Sequence, residues 1–145
     1  MLFRSGDLMR IDEMPAGREM DKAIGQYIFK YWVDHYDKDC AENCYYCLID
    51  GSGDAVIPGF YGERKSEEEA WADCPEFSTD IAAAWEVVEK MGNYLFACGR
   101  NDEGMWEACF FPVNSGIGKL NEAHGDTAPL AISRAALKAL GVTEI

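Results

Sequence analysis

Apolar residues recur at helical spacing along Arg18–Trp32, where Met20, Ala23, Ile24, Tyr27, Ile28 and Tyr31 share a face. They do so again along Ser78–Met91, with a stripe of Ile81, Ala84, Trp85, Val88 and Met91 opposite Glu86, Glu89 and Lys90. A third helix is predicted over Asp126–Leu140, where Leu130, Ser133, Leu137 and Leu140 line up and Ala136 widens the stripe. Ser78, Thr79 and Asp80 offer N-caps for the second helix, and Asp126 or Thr127 for the third, whose first turn accepts Pro129. Ser66-Glu-Glu-Glu69 has the form of a capping box for a short helix through Trp71. Aromatic and branched residues mark strands at Cys44–Asp50, Ala55–Tyr61, Asn93–Cys98 and Met105–Val113. The first two are joined by the turn Asp50–Asp54, the last two by Gly99–Gly104, giving two hairpins. Residues 34–43 read as a polar connection and residues 114–125 as a Gly-rich loop.

Helices that alternate with hairpins predict an α+β fold: an α-β-α layered sandwich with a mainly antiparallel sheet and helices packed on it. The small Ala side chains of the second and third helices suit close approach to that sheet. A length of 145 residues fits one domain, residues 1–145, with a hairpin and short-helix region at about residues 40–74.

Composition narrows the partners. At 48% apolar and 27% charged the chain is that of a globular protein. A formal charge of −13, from 26 acidic and 13 basic residues, repels phosphate backbones and argues against duplex nucleic acid. A small nucleotide is compatible, since one pocket can be basic on an acidic body. No apolar run reaches membrane-spanning length, so neither a membrane partner nor a location outside the cytoplasm is expected.

The six cysteines are therefore read first as thiols or metal ligands. Cys40, Cys44 and Cys47 have C-x3-C-x2-C spacing, and with Cys74, or with His35 as a replacement, they supply four donors for a structural zinc. The leading reading is nonetheless buried, inert thiols and no cofactor, with the structural zinc as its alternative. Cys98 and Cys109 fall in phase with Phe96 and Phe111 on the second hairpin, which places them in the core. Asp50–Asp54 begins like a calcium loop but continues with Ala55 at the sixth position and Tyr61 at the twelfth, so it reads as a turn.

His124, Asp126 and Thr127 stand at the mouth of the last helix, whose free N–H groups suit an anion that Ser115–Lys119 would wrap. Arg134, exposed by helical phase, is a further ligand candidate, as are Ser78, Thr79 and Asp80 at the other helix N-terminus. The chain offers no paired-carboxylate spacing and no Ser/His/Asp order, so no catalytic residue is assigned and an enzyme is the weaker class.

Three blocks, Met14–Asp21, Phe77–Lys90 and Asp126–Leu137, resemble the phage ABA-sandwich domain family, small proteins encoded by bacteriophages and prophages. The resemblance implies an α-β-α layered domain at work in the cytoplasm of an infected bacterium, and brings no catalytic residues with it. The expectation is a phage accessory protein that acts by binding, sequestering a small nucleotide immune signal of the host as an anti-defence device. The alternatives are a small nucleotide hydrolase using His124, Asp126, Thr127 or the thiols, and a zinc-stabilised structural or host-protein-binding module. A homo-oligomer is compatible with each.

Overall fold

Residues 8–37, 44–59, 64–113 and 121–145 are described by the computed structural model. Among these residues, four helices and two antiparallel sheets, of two and three strands, give the α+β class that the apolar pattern predicts.

The centre of the molecule is the last helix, α4 (Ala128–Ala139), in which Leu130, Ala131, Ile132, Ala135, Ala136 and Leu137 are all buried. Thr127 caps it, its Oγ1 accepting from the Leu130 N–H at 3.4 Å. Methyl-sized side chains let other elements come close around it. It packs against β4 (Trp106–Pro112) and β5 (Asn121–Gly125), and also against α3 (Ile81–Lys90) and α1 (Arg18–Tyr27). At the strand–helix corner a Cβ on Gly125 would lie 2.9 Å from the Ala131 backbone nitrogen, so only glycine fits.

The three-stranded sheet runs β3-β4-β5, with β3 spanning Tyr94–Arg100. Its register sets Phe96 opposite Phe110 and Ala108 opposite Ala123, and those residues face the core. Leu95, Ala97, Glu122 and His124 alternate to the other face, where each is exposed. The β3–β4 hairpin follows the sequence, but the loop reading of residues 114–125 is corrected, since its last five residues form β5. Charged side chains from α4 stabilise this edge strand. Lys138 Nζ donates to the Glu122 carbonyl at 2.7 Å, and an Arg134 guanidinium nitrogen to that of His124 at 2.8 Å. Carbonyls that face away from β4 thereby find donors without another strand. Cys98 is exposed on β3, contrary to its expected core placement, while Cys109 is buried.

Asp80 is the N-cap of α3, its side chain accepting from the Ala82 N–H at 3.2 Å. The buried face of this helix is Ala83, Ala84 and Val87. Ile81 (54% exposed) and Trp85 (52% exposed) belong to its outer side, so the expected stripe is rotated. The cause is size: α4 lies close, and only the Ala–Ala–Val face admits it.

The largest departure is at the end of α1. Helical spacing continues to Trp32, yet the helix stops at Tyr27 and Lys30 turns left-handed (φ 60°). The turn lets Phe29 stack on Phe77 at 4.8 Å and brings Tyr31 to 6.4 Å from the same ring. An aromatic cluster of this kind outweighs a further helical turn. Trp32–Asp37 then becomes β1 and pairs antiparallel with β2 (Cys44–Ile49). The partner expected for β2, residues 55–61, contributes only the bridge of Ala55 to Ile49 among the described residues. The Asp50 turn forms as read, with Oδ1 accepting from Ser52 N–H (2.9 Å), Ser52 Oγ (2.8 Å) and Asp54 N–H (3.1 Å). Those hydrogen bonds, Ser52's first, hold the Asp50 carboxyl below its usual range despite some desolvation.

Helix α2 (Glu67–Trp71) starts at Ser66, whose Oγ accepts from the Glu69 N–H (3.1 Å) while the Glu69 carboxylate accepts from the Lys65 N–H (2.8 Å). Reciprocal capping is as predicted, displaced by one residue on the return bond. No helix of the described residues is long and apolar enough to cross a membrane.

Candidate functional site

Two adjoining cavities open between α1 and α2 and share Arg18, Trp71 and Ala72. The larger, about 410 Å3, is bordered by Arg18, Glu19, Lys22, Glu67 and Glu68. The smaller, about 200 Å3, continues past Gly17 and Asp21 to Thr79, just before α3. Arg18 and Lys22 are four residues apart on α1 and so project to one side of it. The Lys22 ammonium lies 5.1 Å from the centroid of the half-buried Trp71 ring, a cation–π contact. The result is one groove with an aromatic floor, cations on one wall and carboxylates on both.

Behind the floor the packing is tight. A Cβ on Gly25 would lie 2.7 Å from Tyr31, 3.2 Å from the Cys74 sulfur and 3.5 Å from Trp71, so the missing side chain is what lets these three approach α1. The Cys74 thiol is pushed up to about 12, first by desolvation and then by the nearby Asp21 charge. It remains a neutral thiol at any physiological pH.

The residues singled out as ligand candidates divide between two places. Ser78 is fully buried: its N–H and hydroxyl both donate to Asp21 Oδ1, at 2.7 and 2.6 Å, and its Oγ accepts from the Gly17 N–H at 2.9 Å. It ties α1 to the approach of α3 and is not open to a ligand. Burial raises the Asp21 carboxyl above its usual range, against the lowering effect of those Ser78 bonds. Thr79 is exposed and lines the smaller cavity, while the Asp80 side chain is occupied as the cap.

His124, Asp126, Thr127 and Arg134 lie elsewhere, around the start of α4. Thr127 is the cap, and Asp126 is exposed. Arg134 donates to the carbonyls of His124 and Met14, both at 2.8 Å, while its Nε is buried with no hydrogen-bond partner among the described residues. Burial lowers its pKa, opposed by the charges of Asp12 and Asp126. Arg134 therefore ties β5 and the N-terminal segment to α4 through both ends of its guanidinium. Ser115–Lys119, expected to wrap an anion here, lies outside the described residues.

Of the proposed zinc donors, Cys47 and Cys74 lie among the described residues, as does the alternative His35. Cys47 is buried in a small cluster with Ile49 and Ala55, while Cys74 packs against the main core and donates to the Asp21 carbonyl at 3.4 Å. Burial raises the Cys47 thiol as well, helped by Asp34 and Asp73. His35 stacks flat on Tyr46 at 4.4 Å. Cys40 and the side chain of Cys44 lie outside the described residues.

The groove is not legible in the sequence, where Arg18 and Lys22 fall outside the apolar stripe of their helix and Trp71 ends a short capped one. Arg18 and Lys22 at i, i+4, with Trp71 closing a capped turn, are the pattern that would have suggested it. Glu107 and Glu122 beside His124 are not legible either, since their convergence depends on β5.

The model of the phage ABA sandwich domain matches residues 27–137. No curated protein matches the chain. Among solved structures, the 2.0 Å crystal structure of a phage protein from Bacillus cereus ATCC 14579 is similar, at 24% identity and a TM-score of 0.52. The alignment covers 94% of this chain and 97% of that one, and the likeness is one of fold.

Proposed function

The chain belongs to the phage ABA sandwich domain family, and we propose that it is a phage accessory protein that binds and sequesters a small nucleotide in the groove between α1 and α2. The observation that carries this reading is the Trp71 floor with Arg18 and Lys22 beside it. A nucleobase stacks on an indole without a sequence code, and such a contact contributes about 1–3 kcal/mol. Swinging Lys22 off the ring exchanges a cation–π contact for stacking and delivers the ammonium to a phosphate. Glu67 and Glu68 can accept from ribose hydroxyls or base amino groups. Two cations among several carboxylates suit one or two phosphates better than a polyphosphate.

A phage gains from removing a host nucleotide signal, which makes cyclic and ADP-ribose-type nucleotides the first ligands to try. Binding is favoured over turnover because the groove's thiol, Cys74, is neutral and half-buried, with no adjacent histidine among the described lining residues. Calorimetry with a panel of such nucleotides should give saturable heat with at least one. Silence across the panel removes the reading.

A second reading, a module that binds a host protein, draws on Ile81 and Trp85 of α3, both exposed, with the Trp85 ring edge-on to Phe96 at 6.0 Å. A pull-down from bacterial lysate should then recover a partner that Trp85→Glu loses, and recovery of none counts against it.

A further inference from the structure

We propose that Glu107, Glu122 and His124 form a binding site for a divalent transition-metal ion, zinc above all, on the open face of the three-stranded sheet. The site is separate from the α1–α2 groove and does not depend on it. Register places Glu107 of β4 directly opposite His124 of β5, and Glu122 lies two residues before His124 on the same face. The donor atoms of the three lie within 4.8 Å of one another. His124 Nε2 is 3.2 Å from Glu107 Oε1 and 3.4 Å from Glu122 Oε1. Two ligands bound to one zinc at about 2.1 Å, with angles near tetrahedral, stand roughly 3.0–3.4 Å apart. The imidazole nitrogen already holds that spacing to both carboxylates, so a small side-chain adjustment suffices to admit an ion.

The donors are held from behind, as metal ligands commonly are. Asn101 Nδ2 donates to Glu107 Oε1 at 3.0 Å. The backbones carrying His124 and Glu122 are fixed by the Arg134 and Lys138 contacts to their carbonyls. These supports come from α4 and the β3–β4 turn, not from the cluster itself. One imidazole and two carboxylates form a nitrogen–oxygen set of the borderline type, which suits zinc or manganese better than magnesium or calcium. Three ligands leave a position open on a four-coordinate ion. An open cavity of about 290 Å3 adjoins it, bordered by Gly99, Cys109, Glu107 and Glu122. Water or an oxygen of a small anion has room there.

The test uses the histidine rings, because the chain has only two and the thiols cannot imitate their response. Zinc is titrated into the metal-free full chain while the ring resonances of His35 and His124 are followed by NMR. The expected result is a saturable change at His124 with His35 unmoved. Glu107→Gln and Glu122→Gln should each weaken binding by about tenfold or more, and Asn101→Ala by about tenfold, the scale of outer contacts to metal ligands. Dispersed spectra of each variant report folding in the same experiment. A His124 signal that does not move, zinc taken only by the cysteines, or an affinity indifferent to both Gln variants would each overturn the proposal. The three side chains would then be an ion-paired surface cluster.

Discussion

The half of the molecule built around α4 and the half built from β1, β2 and α2 solve the same packing problem with different materials. Around α4, buried apolar side chains from α1, α3, β4, β5 and α4 itself meet with loop residues in one cluster that includes Phe77, Phe110, Ile132 and Leu137. The other half has a satellite cluster made of Cys47, Ile49 and Ala55. Its order comes from polar ties: the two-pronged Arg64–Asp73 contact at 2.9 and 2.7 Å, the Asp50 turn, the α2 cap and Lys65 over the Tyr45 ring. Hydrophobic burial scales with area and tolerates little vacancy, whereas exposed polar ties contribute little each. The groove sits where the two halves meet, with Arg18 and Lys22 from the apolar-cored side and Trp71 from the polar one.

The largest effects should come from the α4 half. Leu137→Ala, at a fully buried position, is expected to cost about 2–5 kcal/mol in urea unfolding. Ile49→Ala should fall at the low end of that range, because its cluster is small and can collapse. Equal costs would break the contrast between the halves. Gly125→Ala should cost about 1–3 kcal/mol, since the new methyl meets backbone and not a movable side chain. Thermal melts that leave this variant at the wild-type midpoint would deny the close strand–helix corner. Arg64→Ala should cost about 1 kcal/mol or less, the pair being partly exposed. Hydrogen exchange should then show β2 and α2 amides opening while those of α4 keep their protection, and a uniform loss would mean the halves are one cooperative unit.

The smallest effect concerns pH. Burial lifts the Asp21 carboxyl above its usual 3.8, so the folded state holds that proton more tightly than the unfolded state. This contribution to stability is fully present below 3.8 and is lost as pH rises through the higher folded value. Relative to Asp21→Asn, the wild type should gain stability when the pH falls from neutral toward 4. A difference that runs the opposite way would mean that Ser78's bonds outweigh burial.

Legibility in the sequence follows the same division. The helices α3 and α4 and the β3–β4 hairpin could be read because caps, periodicity and turn residues agreed locally. Even there the exposed Ile81 and Trp85 show that periodicity alone cannot say which face a close neighbour admits. Strand β1 could not be read, because the turn at residues 28–31 is decided by Phe77, far along the chain. Strand β5 was hidden by its glycine-rich surroundings and takes its place from β4 and from the two basic residues of α4. Of the candidate ligands, Ser78 and Arg134 carry polar chemistry that the fold spends on joining elements. Only spatial neighbours reveal such a role.

The measurement that bears most directly on the central claim is calorimetric titration of the nucleotide panel into wild type and Trp71→Ala side by side. Saturable binding to the wild type is expected, with a loss of about tenfold or more without the indole. A nucleotide that binds both proteins equally would place the site elsewhere, and a wild type that binds none would contradict a nucleotide site in the groove outright.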